Sequence, residues 1–229
     1  MTRQLLAAVA CAGLLAALGW ALLSLPTAPA GLSGFALAQL PESGVRNPVT
    51  AALLNYRSYD TLLEMAVLLA AVVGVWSIRR GEWPAGDWRE RPLLTSLLRV
   101  LLPTLVLVAA YLLWVGAFAP GGAFQGGALL GGGLVLAMLG NVAPSALYRV
   151  PWLRAGLVLG VLVFAGVAWV TLAATGCLLQ YPRGTGGTWI LIIESAALLS
   201  IGLTLGLLYL GGRPDLAPAD STERDSSHE

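Results

Sequence analysis

Residues 120–133 read PGGAFQGGALLGGG, and this stretch decides the fold. Seven of its fourteen residues are glycine, a content that would cripple a helix in water. In a membrane, small residues four positions apart let helix backbones approach closely. Such pairs lie on three adjacent rows: Gly122/Gly126, Gly127/Gly131 and Ala128/Gly132. They predict a membrane helix that is packed on several sides.

Two other interpretations of this stretch compete with close packing. A phosphate-binding loop is excluded, because no strand precedes the glycines and no Lys or Ser/Thr follows them at the required spacing. A broken helix with exposed backbone, as at transporter sites, remains open, with Gln125 as its single side-chain ligand. We favour packing, and the predicted helix-packing motif consists of Pro120, Gly121, Gly122, Phe124, Gln125, Gly126 and Gly127.

The composition of the whole chain indicates an all-α integral membrane protein and excludes a conventional soluble enzyme. Its 229 residues are 57% hydrophobic and 11% charged, with a mean hydropathy of +0.79, whereas soluble domains are about 25% charged. A net charge of +1 leaves no basic surface for nucleic acid. Two Cys and the lone His228 form no disulfide framework or metal cluster, so we expect no metal and no cofactor.

Six apolar runs are long enough to cross a bilayer, which requires about 20 residues. They are residues 5–25, 61–78, 93–118, 124–142, 153–179 and 188–210. The first run is longer than the apolar region of a signal peptide, and no small-x-small cleavage site follows it directly. We therefore predict six transmembrane helices, the first of them retained.

The arginines set the orientation, because cytoplasmic loops carry an excess of Lys and Arg. With the N-terminus inside, ten arginines lie on the cytoplasmic side and three on the outer side. The outer three are Arg46, Arg57 and Arg183. We predict a multi-pass protein of the cell inner membrane with both termini cytoplasmic.

The connections divide the chain into modules. The loop 79–91 mixes arginines, acids and two tryptophans, and it separates a two-span module, residues 1–81, from a four-span module, residues 82–212. The remaining residues, 213–229, are polar, acidic and cannot bury a core, so we expect a disordered cytoplasmic tail.

A short amphipathic helix is predicted before the second span. Asn47 and Pro48 have the character of an N-cap and a first helical residue. The apolar residues that follow at helical spacing on one face are Val49, Ala52, Leu53 and Tyr56. We interpret this helix as a connector that lies at the outer surface.

Two carboxylates lie inside predicted spans, where an ionisable residue is costly and is by default a functional hypothesis. Glu64 lies about one turn inside the second span, and Glu194 about two turns inside the sixth. Both spans start at the outer face, so the two side chains lie at similar depth. This is consistent with a shared polar pocket or a water-filled vestibule, and in the functional interpretation one or both carboxylates carry a proton or attract a sodium ion. The alternative is that a hydroxyl, an Arg or a backbone group of a neighbouring helix satisfies each carboxylate.

A third acid, Asp60, lies at the entrance of the second span, three residues after Arg57. In a continuous helix this spacing pairs the two side chains across one turn. We predict a structural ion pair between Arg57 and Asp60. Asp60 also remains a candidate for the ion path beside Glu64 and Glu194.

Two stretches resemble the B subunit of Mrp-type multisubunit Na⁺/H⁺ antiporters. Residues 115–139, VGAFAPGGAFQGGALLGGGLVLAML, resemble its PGGGFQGG signature, with Ala123 in place of a glycine. Residues 189–205, WILIIESAALLSIGLTL, resemble its final helix. Glu194 matches the acid of that helix, while Ala196 and Ala197 replace a Gly-Val pair.

The first module resembles a second pattern, N-V-I-L-x-D-F-R-G-F-D-T-x-G-E. That pattern ends the large A subunit of the antiporters and recurs in the small E subunit of membrane-bound hydrogenases. Residues 47–78 carry the similarity, and the matching positions are Arg57, Asp60, Thr61 and Glu64. Asn55 replaces an Asp and Ser58 a Gly. The chain thus resembles a fusion of an A-tail or E-like module with a B-like module.

The resemblance implies a membrane subunit of a cation/proton antiporter complex, without enzymatic activity of its own. It also implies the partners, which are large proton-translocating subunits, small subunits and the lipid bilayer. The large subunits hold lysine and glutamate relays, and this chain, which has no Lys, cannot hold one itself. The alternatives are the equivalent subunit of an energy-converting membrane-bound hydrogenase or related ion-coupled complex, and a purely structural scaffold.

Overall fold

The computed structural model describes residues 2–24, 31–78, 92–140, 142 and 150–209, whose regular secondary structure consists of helices and includes no strand. The loop 79–91 with the predicted module boundary and the tail 213–229 lie outside these residues. A 3₁₀ turn, Leu40–Glu42, precedes the short helix Pro48–Ala51, and a π-helical turn, Ala52–Tyr56, continues that helix. The helices are α1 (Thr2–Leu23), α2 (Ser33–Ala38), α3 (Pro48–Ala51), α4 (Ser58–Ile78), α5 (Pro92–Val115), α6 (Ala123–Leu139), α7 (Val150–Thr175) and α8 (Gly186–Tyr209).

Within the described ranges, four helices are long and apolar enough to cross a membrane. They are Ser58–Ile78, Leu93–Val115, Pro151–Thr175 and Gly186–Tyr209. Shorter apolar helices occupy Ala8–Leu23 and Ala123–Leu139. Each of the six predicted spans therefore coincides with an apolar helix, which confirms the all-α membrane class.

The chain divides into two units, Met1–Phe35 and Ala36–Glu229. The first consists largely of α1, on which Leu14, Leu15 and Trp20 are exposed. A helix that is apolar around its whole circumference suits lipid or other membrane helices. Helices α3 to α8 belong to the second unit.

The central helix of the second unit is α8, which is 67% buried along its most apolar segment, against 17% for α4 and 11% for α5. It packs against α4, α6 and α7. Three apolar clusters follow one another along it, with Ile193 in the first, Ile201 in the second and Leu207 in the third. The helix that carries the buried acid is therefore also the main support of the core.

Glycines allow the close approach of α6 and α8. A methyl group on Gly131 would lie 3.1 Å from the carbonyl oxygen of Gly202. A methyl group on Gly127 would lie 2.8 Å from Cγ2 of Ile201. Because backbone faces backbone at this crossing, larger residues would push the two helices apart.

The third predicted row of small residues behaves differently. Ala128 is exposed, and a methyl group on Gly132 would meet nothing within 4 Å. The prediction that this helix is packed on several sides is therefore wrong for the Ala128/Gly132 row within the chain. Sequence periodicity identifies rows of small residues, but it does not identify which rows the neighbouring helices of the same chain cover.

Candidate functional site

A cavity of about 330 Å³ lies where α4, α6 and α8 meet the short helical segment 48–56. Its wall is mostly apolar, with two carboxylates, two hydroxyls and one side-chain amide. The lining residues are Val49, Thr50, Leu53, Leu54, Thr61, Glu64, Gly121, Gly122, Ala123, Phe124, Gln125, Phe164, Ile193, Glu194 and Ala197.

Glu194 is buried in this wall, with 6% of its surface exposed. Its Oε1 accepts a hydrogen bond of 3.2 Å from the backbone N–H of Ala123, the first residue of α6. The first N–H groups of a helix have no partner within the helix, and the helix dipole favours negative charge there. The start of α6 therefore stabilises the carboxylate. Among the described residues no Arg pairs with it.

Glu64 lines the same cavity from α4, and its side chain is exposed. Carboxylates from two different helices thus line one cavity, as the hypothesis of a shared polar pocket requires. Within the described part of the chain no ion pair involves Glu64. The described residues also contain no cluster of three or more His, Cys, Asp or Glu that could hold a metal ion.

Asp60 is not among the residues that line the cavity. Its Oδ2 accepts a hydrogen bond of 2.7 Å from Nε of Arg57, and the two form an ion pair. The side chains are 73% exposed for Arg57 and 54% exposed for Asp60. Water or headgroups can screen a pair with this exposure, so its contribution to stability is small.

Residues 116–122, between α5 and α6, form a turn, here named the α5–α6 turn, before the glycine-rich stretch becomes helical. The carbonyl oxygen of Leu112 accepts hydrogen bonds from the N–H groups of Gly116, at 3.1 Å, and Gly122, at 2.8 Å. Gly122 has φ +111°, a conformation that only glycine adopts readily. A methyl group on Gly122 would lie 2.7 Å from Oε1 of Glu194. The turn therefore needs glycine for its backbone and for the room that the carboxylate occupies.

The predicted helix-packing motif is corrected in part by this geometry. Pro120, Gly121 and Gly122 lie in the turn rather than on a helix face, because the backbone of Gly122 is not helical. Gly126 and Gly127 do pack, against α5 and α8. The remaining two motif residues do not pack against a neighbouring helix in the same way. Phe124 is half-buried beside the second apolar cluster, which contains Ile201, and Gln125 is exposed at the cavity.

The segment before α4 is docked onto this turn. Nδ2 of Asn47 donates to the carbonyl oxygens of Gly116, at 3.0 Å, and Ala119, at 2.8 Å. Oγ1 of Thr50 donates to the same Gly116 oxygen at 2.6 Å. The Asn47 side chain also accepts from the N–H of Val49, which confirms the predicted N-cap, with proline at the first helical position.

The face that this short segment buries is not the predicted apolar face. Val49 and Leu53 are exposed, while Ala51 and Leu54 are buried against α7 and α8. Hydrogen bonds to the α5–α6 turn select the orientation, and the apolar spacing alone did not reveal it. The predicted face instead contributes Val49 and Leu53 to the cavity wall.

Side chains satisfy the carbonyl groups where the π-helical turn meets α4. Thr61 donates to the carbonyl of Leu53 at 2.7 Å, and the hydroxyl of Tyr181 donates to that of Leu54 at 2.8 Å. Tyr181 lies in the loop between α7 and α8. Its burial raises the pKa of the phenol, which favours the neutral, donating form.

Asn47, Thr50 and Tyr181 were not identified as site residues from the sequence. Their partners lie 66 to 127 residues away along the chain, and no local pattern shows such contacts. The available signal was a polar residue before an apolar segment, and it indicated only the helix cap at Asn47.

Two known families match this chain, one in each of its modules. Residues 93–211, just over half of the chain, match the model described as a domain related to the MnhB subunit of the Na⁺/H⁺ antiporter. The chain belongs to this family. Residues 1–94 match a second model, MbhE, which describes the E subunit of MBH. The resemblance to an antiporter B subunit joined to a hydrogenase E-like module is confirmed.

Solved structures share the fold of this MnhB-related chain. A chain of the membrane-bound sulfane sulfur reductase, an archaeal respiratory membrane complex, matches with a TM-score of 0.69 and 24% identity, covering 92% of this chain and 98% of that one. A chain of the Mrp complex from Dietzia sp. DQ12-45-1b matches with a TM-score of 0.67 and 24% identity, covering 96% of this chain and 27% of that one. No curated protein matches the sequence.

Proposed function

We propose that the chain is a membrane subunit of a Na⁺/H⁺ antiporter-type complex and that its cavity forms part of the cation path. The observation that carries the proposal is the meeting of Glu64 and Glu194, from two different helices, at one cavity of about 330 Å³. A carboxylate inside a membrane helix is costly and usually serves a pathway or a partner. The MnhB-related family supports the assignment.

In this proposal the two carboxylates have different roles. Glu194 is buried and held by the N-terminus of α6, so it is the fixed ligand of the path. Glu64 is exposed at the same cavity, where a cation or a neighbouring subunit can reach it. Asp60, paired with Arg57 away from the cavity wall, is the weakest of the three candidates.

The subunit acts within a complex and is not itself an enzyme. It spans the cell inner membrane six times, with both termini in the cytoplasm, as the arginine distribution indicates. Its partners are large antiporter-like subunits with the lysine relays that this chain lacks, together with small subunits. We expect the purified chain alone to show no saturable Na⁺ or H⁺ flux in liposomes, and such a flux would contradict this assignment.

A second candidate is the equivalent subunit of a redox-driven membrane complex. The match of residues 1–94 to the MbhE model favours it, as does the full-length similarity to a chain of the sulfane sulfur reductase. The proteins that co-purify with the chain separate the two candidates. Iron–sulfur or nickel proteins indicate a redox complex, and their absence from an active preparation indicates an antiporter.

The test replaces each carboxylate with its neutral isostere in the assembled complex. Na⁺-dependent proton movement is measured in everted membrane vesicles for Glu64→Gln and Glu194→Gln, and divided by the amount of assembled complex. Glu42→Gln, an exposed glutamate outside the cavity wall, is the matched control. Asp60→Asn tests the third candidate in the same assay.

We expect normal assembly in all variants, with the largest loss of transport in Glu194→Gln. Because the backbone N–H of Ala123 is the group that binds Glu194, a neutral amide oxygen can still accept that bond, so assembly survives. Wild-type transport in both Glu64→Gln and Glu194→Gln would contradict the ion-path proposal. The subunit would then be a purely structural scaffold.

A further inference from the structure

The side chain of Asn47 makes more bonds than a helix cap needs. Its oxygen accepts from the N–H of Val49 at 3.1 Å, which is the cap. Its Nδ2 donates to two further oxygens, those of Gly116 and Ala119, at 3.0 and 2.8 Å. The residue is 5% exposed. Serine or aspartate would serve equally well as a cap, so the two amide bonds to the turn are the additional property of asparagine here.

These bonds fix a turn whose two ends are in contact. A methyl group on Gly116 would lie 2.7 Å from Cα of Gly122, and both N–H groups bond to the carbonyl of Leu112. Thr50 donates to the same Gly116 oxygen that Asn47 binds. Fixing Gly116 therefore also fixes Gly122 and the backbone that follows it.

The residue that follows is Ala123, the hydrogen-bond donor to Glu194. No side chain of the described residues donates to this carboxylate, so the turn alone sets its donor. We propose that Asn47 is a positioning residue for Glu194, acting through the α5–α6 turn. The proposal rests on the ion-path function proposed for Glu194. It implies that the E-like module controls the acid of the B-like module.

The test uses Asn47→Ser in the full complex. Serine keeps an oxygen for the cap but cannot reach the turn with two N–H groups. We expect transport per assembled complex to fall by about two- to tenfold. This range corresponds to the net free energy of a single hydrogen bond, here the bond from Ala123 to Glu194. Asn55→Ser is the matched control, because Nδ2 of Asn55 donates to the carbonyl of Ser43 and not to the turn. It should transport like the wild type.

A double-mutant comparison shows whether the effect passes through Glu194. If it does, Asn47→Ser lowers transport in the wild type but adds nothing to Glu194→Gln. Independent, multiplying losses, or wild-type transport in Asn47→Ser beside a defective Glu194→Gln, would overturn the positioning role while leaving the ion-path function intact.

An infrared measurement gives a readout that does not depend on transport. The stretching band of the Glu194 carboxyl is assigned by its loss in Glu194→Gln, and it should shift in Asn47→Ser but not in Asn55→Ser. An unchanged band would overturn the positioning role. If Glu194→Gln transports normally, the ion-path function of Glu194 fails, and the band still tests the positioning. If Asn47→Ser does not assemble, Thr50→Val, which loses one bond to the same carbonyl, should produce a smaller shift of the same band.

Discussion

The backbone N–H of Ala123 donates to the carboxylate of Glu194, and the two residues are 71 positions apart in the sequence. Ser, Thr, Asp and Asn are preferred just before a helix, because their side chains accept a hydrogen bond from its first N–H groups. Gly122 occupies that position in α6 and has no side chain, so the cap comes from α8 instead. Because no local side chain caps α6, its first N–H group is free to bind the carboxylate of Glu194 from α8. This hydrogen bond compensates part of the free-energy cost of burying that carboxylate.

Gly122→Ala should impair transport as well as stability. At φ +111° an alanine is strained by about 1–3 kcal/mol, and its methyl group would lie 2.7 Å from Oε1 of Glu194. We expect lower complex yield, lower thermal stability and a loss of transport per assembled complex, because the carboxylate must move away from Ala123.

Gly176→Ala is the control for strain without the contact. Gly176 has φ +80°, and a methyl group there would meet nothing within 4 Å. We expect this variant to lose stability but to transport normally once assembled. Equal transport losses in Gly122→Ala and Gly176→Ala would show that strain, and not the position of Glu194, is responsible.

Gly127→Ala should loosen the crossing of α6 and α8. The added methyl group would lie 2.8 Å from Cγ2 of Ile201 and 3.2 Å from the carbonyl oxygen of Leu198. Overpacking of this kind typically costs about 1–3 kcal/mol. Gly132→Ala, further along α6 in open space, should be at least as stable as the wild type, because alanine favours a helix over glycine. Denaturation of the purified chain in detergent micelles measures both, and equal midpoints would contradict the assigned crossing.

The apolar runs of the sequence predicted the helices well, because membrane thickness and side-chain hydropathy determine them locally. The run 61–78 corresponds to Ser58–Ile78, and 188–210 to Gly186–Tyr209. The N-cap at Asn47 was predictable for the same reason, since its acceptor bond reaches only to Val49.

The site itself was predictable only in part. The cost of burying charge singled out Glu64 and Glu194, and both line the cavity. The start of α6 after Gly122 was not predictable, because a run of glycines has the same sequence pattern whether it forms a turn or a helix. The donors to the turn were not predictable because they lie far away along the chain. Which rows of small residues are covered depends on the positions of α5 and α8, and those are set by tertiary contacts.

The bond between Tyr181 and Leu54 should give the chain an alkaline stability limit. The phenol donates to the Leu54 carbonyl at 2.8 Å, and its removal in Tyr181→Phe leaves that carbonyl without its donor, a loss of about 1–3 kcal/mol. Burial raises the pKa of Tyr181, so the folded state holds this proton more tightly than the unfolded state does. The stabilisation is therefore complete below about pH 10, the ordinary pKa of tyrosine, and is lost as the pH rises through the raised value.

Unfolding in detergent micelles, followed by tryptophan fluorescence, measures this contribution of Tyr181. The wild type should be more stable than Tyr181→Phe at neutral pH, with the difference shrinking above about pH 10 because the unfolded state then releases the phenol proton more readily. Tyr59→Phe, at a tyrosine that is 53% exposed, controls for the general effect of alkali. A difference between wild type and Tyr181→Phe that stays constant from neutral to strongly alkaline pH would show that the phenol proton does not contribute to the fold.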